Sequence, residues 1–348
     1  MIIQPTTLVL GAGASVDFGY PTGAGLRERI LALDTGWIQW IAPASNETSW
    51  YTLFEDFKVE FRMAPTTTID AFLEDRPAFK EIGTRCIAAA LLRDEKPEML
   101  NQSWHTILFA AMRARELESE ERPLRVVTFN YDRSLEAFLH RSLMAAYGMN
   151  RSEASATLRR NLDIVHVYGQ LDEIPDYSKG ENRGGREYGA SDPLFIDAAA
   201  KDLRLVNREQ DQTHNAFFEN ARRMIAGAEF IAFIGFGFDR VNLERLQLSN
   251  VRYSKIFFCT GKGIYDGKRA LIRSMFPQHA FYFGDPDHKA KEFLNRTDFF
   301  SWAASRKSTS RQLLRALDRK MESDFSTVER KQRDRPFEWM GEETAHPE

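Results

Sequence analysis

The sequence predicts an α/β protein with a doubly wound parallel sheet. Three observations predict it. Short apolar runs alternate with stretches of helical periodicity. The first run, Leu8-Val9-Leu10, breaks at once into Gly11-Ala12-Gly13-Ala14-Ser15 and then passes into a helix from Thr22. The next four runs also end in clusters of Gly, Asn, Asp or His. That is where the carboxyl ends of parallel strands form a ligand crevice.

The first strand, glycine loop and helix together can hold a phosphate. Gly11 and Gly13 carry no Cβ, so the backbone can turn and approach a ligand closely. Main-chain N–H groups and a helix N-terminus are expected to face an anion. The spacing departs from the dinucleotide fingerprint, because Val16 stands where a third glycine belongs. A tight strand-to-helix turn without a ligand is the alternative reading of these residues.

Thr22–Leu33 reads as the first helix, with Thr22 as its cap. Residues 36–120 are rich in helical pattern and poor in strands, and read as an inserted helical module. Within it, Thr67-Thr68-Ile69-Asp70 resembles a capping box, and Phe79–Leu92 and Trp104–Leu117 read as helices. The aromatics Trp37, Trp40, Trp50, Tyr51, Phe54, Phe57 and Phe61 are expected to form the module's core and its contact with the sheet.

Leu124–Thr128 is the second strand, running into Phe129-Asn130-Tyr131-Asp132 and a helix over Ser134–Ala146. Asp163–Val167 is the third, followed by Tyr168-Gly169. From Asp172 to Gln212 the chain is polar and loop-like, with the Asn182–Arg186 run expected to be solvated. A helix over Asn215–Ala226 precedes the strand Phe230–Ile234, which ends at Gly235-Phe236-Gly237. A helix over Asn242–Leu248, the strand Lys255–Cys259 ending at Thr260-Gly261, and a short strand Ala280–Phe283 follow. Residues 1–300 are read as one domain, and 301–348 as a charged helical tail that frays beyond about Ser323.

The chain has 348 residues, 43% hydrophobic, which is enough to bury a sizeable core. Its 47 basic and 50 acidic residues give a net charge of −3, so direct nucleic-acid binding is not expected. Two cysteines cannot build a four-cysteine zinc site, and they fit a reducing cytoplasm. Residues 1–7 lack a signal-peptide pattern, and no apolar run approaches the roughly 20 residues of a membrane span. The expectation is a cytoplasmic protein with no metal.

Several of these stretches resemble the sirtuins. Gly11-Ala12-Gly13-Ala14-Ser15 followed by Gly19-Tyr20-Pro21 is similar to their GAGxS…GxP segment, and Thr128-Phe129-Asn130-Tyr131-Asp132 to their T-x-N-x-D motif. Gly235-Phe236-Gly237 and Thr260-Gly261 fall where that family contacts its nucleotide. The order holds from about Leu8 to Gly263, and the likeness is greatest to the sirtuin-like proteins of bacterial anti-phage defence. Three departures from the deacetylases accompany it. Thr22-Gly23-Ala24 replaces Asp-Phe-Arg, the zinc ribbon's place is taken by a glycine-rich loop over 172–193, and Tyr168 stands where the catalytic histidine precedes Gly.

The resemblance implies a sirtuin-like (DHS-type) Rossmann fold with an inserted helical module and no zinc ribbon. It also implies NAD⁺ as substrate, cleaved at the nicotinamide–ribose bond. Asn130, His166 and Asp132 are then the catalytic residues. Asn130 orients water or ribose hydroxyls, Asp132 bonds the carboxamide, and His166 accepts a proton. Alternation along a strand lets His166, two residues before Tyr168, face the cleft. A core histidine and an N-cap at Asp132 are the structural alternatives. Gly11, Ala12, Gly13, Ser15, Pro21, Thr128, Tyr168, Gly169, Gly235, Gly237, Thr260 and Gly261 are the expected NAD-binding set. A gated effector in a homo- or hetero-oligomer, held by a separate regulatory or sensor protein, is the implied biology. A non-catalytic nucleotide-binding subunit of a defence complex is the alternative.

Overall fold

Six apolar segments form one six-stranded, all-parallel sheet. They are β1 (Thr6–Leu10), β2 (Leu124–Thr128), β3 (Asp163–His166), β4 (Phe230–Ile234), β5 (Ile256–Cys259) and β6 (Ala280–Phe283). The strand order is β3-β2-β1-β4-β5-β6. The computed structural model describes residues 2–42, 47–65, 68–100, 103–112, 124–182, 184–204, 212–305 and 307–320. The architecture is the Rossmann-like α/β sheet that the strand pattern predicts. β1 and β4 are buried along their whole length, as the central strands of a sheet covered on both faces must be.

Register sets the site. Leu10 pairs with both Thr128 and Ile234, and Thr128 pairs with His166. The strands therefore end level, and the segments after Leu10, Thr128 and Ile234 emerge side by side. The chain reverses direction across the sheet between β1 and β4, so a crevice opens there.

The connection from β1 to β2 carries α1 (Gly23–Leu31), α2 (Ile38–Ile41), α3 (Glu47–Met63), α4 (Ile69–Asp75), α5 (Lys80–Leu92) and α6 (His105–Met112). The Thr22 hydroxyl accepts the Gly25 N–H at 3.3 Å, which fixes the start of α1. Thr68 caps α4 by accepting the Ala71 N–H; Thr67 lies outside the described residues, as do 113–117 of the expected sixth helix. Phe54, Phe57 and Phe61 recur at helical spacing on α3 and are fully buried, Phe57 and Phe61 against Phe72 and Phe57 also against Phe79. Trp40 and Tyr51 were expected in this core but are exposed, each one residue off a buried helix position, Ile41 on α2 and Trp50 on α3.

Between β2 and β3 lie α7 (Ser134–Tyr147) and α8 (Arg151–Asn161), the latter with a full capping box from Asn150 and Glu153. The segment after β3 holds a short α9 (Ile196–Lys201) and then α10 (Gln212–Ala226). Next come α11 (Arg240–Leu246) after β4, α12 (Asp266–Met275) after β5, and α13 (Ala290–Thr297) and α14 (Phe299–Ala303) after β6. Beyond α14 the chain is helical over 310–320, with Leu313 and Leu317 buried. Ile3 N–H donates to Ala303 O at 3.1 Å, and Ser310 N–H to Glu229 Oε1 at 2.9 Å. This part of the tail is thus docked beside the start of β1. Residues 321–348 lie outside the described residues.

The 172–193 loop is latched from inside. Arg133 and Arg186 both grip Glu95, at 2.8 and 2.6 Å to its Oε2, and all three side chains are essentially inaccessible. The guanidiniums also donate to the carbonyls of Glu173, Leu171 and Ala190. Local polarity predicts a solvated Arg186, and the structure buries it. Its burial reflects a partner 91 residues away, which local polarity cannot signal.

α6 brings His105 into an aromatic stack with Phe18 at 4.6 Å and Phe138 at 5.4 Å. Burial pulls its pKa down to about 3. The folded ring stays neutral, whereas the unfolded ring takes a proton below about 6.5. The stability this gives is complete above that value and is lost as pH falls toward 3. Acidification from pH 6.5 should therefore cost up to about 1.4 kcal/mol per pH unit from this group. Urea unfolding at pH 7.5 and pH 5 should show a smaller acid-side loss in His105→Phe than in the wild type.

Candidate functional site

A cavity of about 460 Å³ lies at the carboxyl ends of the central strands. Most sequence-predicted residues line it. Gly11, Ala12, Gly13, Ser15 and Pro21 come from beyond β1. Asn130 and Asp132 follow β2, and Tyr168 follows β3. Gly235, Gly237 and Thr260 complete the set from beyond β4 and β5. The volume falls in the range of roughly 300–1,000 Å³ usual for small-molecule sites.

Four predicted residues are not on its wall. Thr128 Oγ1 accepts the Asn130 N–H at 3.1 Å and so acts on the site through Asn130. Gly169, at φ +76°, is crossed so closely by Asp202 that a Cβ would sit 1.9 Å from its carbonyl oxygen. Gly261 meets Gly284 O at the same distance, so both glycines answer to chain crossings. His166 is 7% exposed and lies behind Asn130, away from the cavity, because its ring is drawn to Glu136 on α7 at 2.7 Å.

The glycine loop also differs from expectation. Gly11 N–H donates to Ile234 O, Gly13 N–H to Gly235 O, Ala14 N–H to Gly11 O and Ser15 N–H to Ala12 O, all at 2.8–3.1 Å. These donors are spent inside the fold and do not face an anion. The glycines let two neighbouring loops touch: a Cβ on Gly13 would lie 2.8 Å from Gly235 Cα. The loop is therefore a floor. Positive character at the cavity comes from Lys262, Lys289 and the N-terminal turn of α1 at Thr22 and Gly23. Lys289 pairs with Asp17 at 3.0 Å.

Asn130 is the most constrained polar residue on the wall. Its Nδ2 donates to Gly11 O and to Ser15 Oγ, both at 3.0 Å. Both amide protons are thus used, while its buried Oδ1 has no partner among the described residues. Asp132 Oδ1 accepts the Ser134 N–H at 3.0 Å, together with the Ser134 hydroxyl. It therefore restrains the start of α7 while lining the cavity. Burial raises its pKa, with the Ser134 and Ser15 hydroxyls pulling the other way.

Helices add residues that strand-end reasoning missed. α4 carries Asp70 to the cavity, where it accepts a hydrogen bond from Tyr131. Burial raises its pKa, the Tyr131 hydroxyl opposing. The Tyr168 hydroxyl donates to Asn242 Oδ1 at 2.5 Å and accepts from Arg245, which also pairs with Glu74 at 2.5 Å. Module and sheet domain are thus joined by a polar network at the cavity wall. Tyr131 was accessible to sequence reasoning, since it lies inside the motif already singled out. Asp70 stood out only as part of a capping motif, and Asn242 and Arg245 carried no local signal.

Among the described residues, no group of three or more His, Cys, Asp or Glu side chains is placed to hold a metal ion. No helix among them is long and apolar enough to cross a membrane. Set against models of known protein families the chain matches none, and no curated protein matches it. Fold and cavity define a Rossmann-like α/β protein with a candidate site at the sheet's switch point.

Proposed function

We propose that the chain is a sirtuin-like NAD⁺ hydrolase that cleaves the nicotinamide–ribose bond to give nicotinamide and ADP-ribose. The observation that carries this reading is Asn130. It lies on the cavity wall, 8% exposed, with both amide protons committed and Oδ1 unpartnered. An acceptor buried in that state calls for a donor; in this reading an attacking water or a ribose hydroxyl supplies it.

The chemistry asks little proton transfer of the protein. Water oxygen bonds to the anomeric carbon as the carbon–nitrogen bond breaks. The bonding pair goes to the ring nitrogen, so the pyridinium leaves as neutral nicotinamide. The water's proton passes to solvent or to a cavity carboxylate. Positive charge gathers on the sugar in the transition state. Asp132 favours that charge and accepts from the carboxamide, while Lys262 and Lys289 suit the diphosphate.

Such an enzyme depletes NAD⁺ unless restrained. We therefore assign it the role of a gated effector of anti-phage defence, held by a separate sensor protein or by oligomerisation, in the cytoplasm. The test is nicotinamide release from NAD⁺ by the purified chain, alone and with the protein encoded beside it. Asn130→Ala should lower turnover by roughly 100-fold or more. One observation favours a second reading, a non-catalytic NAD- or ADP-ribose-binding subunit: the only histidine of the expected set is turned away from the cavity. NAD⁺ binding without release in any complex would select that reading.

A further inference from the structure

His166 sits between two acceptors. Its Nδ1 is 3.0 Å from the main-chain oxygen of Asn130, and its Nε2 is 2.7 Å from Glu136 Oε1. A carbonyl can only accept, and so can an ionised carboxylate. Both ring nitrogens must then donate, which makes the ring an imidazolium with no lone pair left for a substrate proton. Access is closed as well. The void beside the ring, bounded also by Ser15, Asn130, Asp132 and Glu136, measures about 10 Å³. That is room for about one water and for no sugar.

Asn130 is thereby held on every side but one. Thr128 takes its N–H, His166 binds its carbonyl, and Gly11 and Ser15 take its amide protons. We propose that His166 is a positioning residue: an imidazolium, neutralised by Glu136, that braces Asn130 from behind and aims its free Oδ1. Its pKa agrees in direction. Burial pulls it down, but the Glu136 charge and the bonds to Glu136 and Asn130 more than reverse this. Asp132 is the other acid acting on the ring, in the same sense. The catalytic consequence rests on the NAD⁺ reading above, whereas the protonation state does not.

The test is nitrogen NMR of the full chain with labelled histidine and asparagine at pH 7. The wild type should show His166 protonated at both ring nitrogens. Glu136→Gln should keep the contact, its amide donating to Nε2, and should leave the ring neutral. His166→Gln should shift the Asn130 side-chain amide signals. It should also lower kcat for nicotinamide release by roughly 10–100-fold, with KM nearly unchanged. Glu136→Gln, which still presents Nδ1–H to Asn130, should keep most of the wild-type kcat. A singly protonated ring in the wild type overturns the proposal, as does an Asn130 signal indifferent to His166→Gln. If no form releases nicotinamide in any complex, the hydrolase reading fails, and the NMR still decides the brace.

Discussion

Replacing Glu95 with alanine is expected to destabilise the protein by about 3–5 kcal/mol and to free the 172–193 loop. Glu95 and Arg133 have fully inaccessible side chains, and that of Arg186 is 3% exposed. The substitution strands two guanidiniums away from water with their shared counter-charge gone. A domain stable by roughly 5–15 kcal/mol would lose a large part of its margin. The exposed Arg240–Glu244 pair is the control, because water already solvates both ends. Arg240→Ala should cost no more than about 1 kcal/mol. Urea unfolding measures both, and limited proteolysis reports cleavage within 172–193 in Glu95→Ala. Equal losses in the two variants would mean that burial gives the Glu95 cluster no special weight.

Gly235→Ala and Gly237→Leu should part sharply, although the two glycines lie two residues apart on the same cavity wall. Gly235 sits at φ +59°, and a Cβ there would fall 2.0 Å from the Ala14 nitrogen. Ala14 cannot yield, since its N–H is bonded to Gly11 O and its carbonyl to Trp104 Nε1 at 2.9 Å. Gly235→Ala should cost more than about 4 kcal/mol or prevent folding. At Gly237 a Cβ meets nothing within 4 Å. Gly237→Leu should therefore keep stability within about 0.5 kcal/mol while filling the cavity and abolishing NAD⁺ binding. Calorimetry with NAD⁺, beside thermal melts, separates the two effects. A stable Gly237→Leu that still binds NAD⁺ at wild-type affinity would remove this wall from the binding site.

What the sequence determined by itself was whatever depends on neighbours along the chain. The β4 and β6 bounds follow from continuous apolar runs, β2 from a run of Leu, Val and Thr broken only by Arg125, and the Thr22 cap from a hydroxyl three residues ahead of an N–H. Strand-end clustering then brought Gly11, Asn130, Asp132, Gly235 and Thr260 to one cavity, because parallel strands in level register must end together. Only the tertiary structure decided which way a side chain turns and what spends its hydrogen bonds. Alternation gives a face of β3, but Glu136 on α7 decides that His166 backs Asn130. The main-chain donors of Gly11 and Gly13 look free for an anion until β4 arrives beside them with Ile234 O and Gly235 O. Asp70 enters from the helical module, and Arg186 finds Glu95 across 91 residues. Such pairings reflect desolvation: a buried charge or amide takes whatever partner packing brings within 3 Å, and that partner is fixed by the fold as a whole.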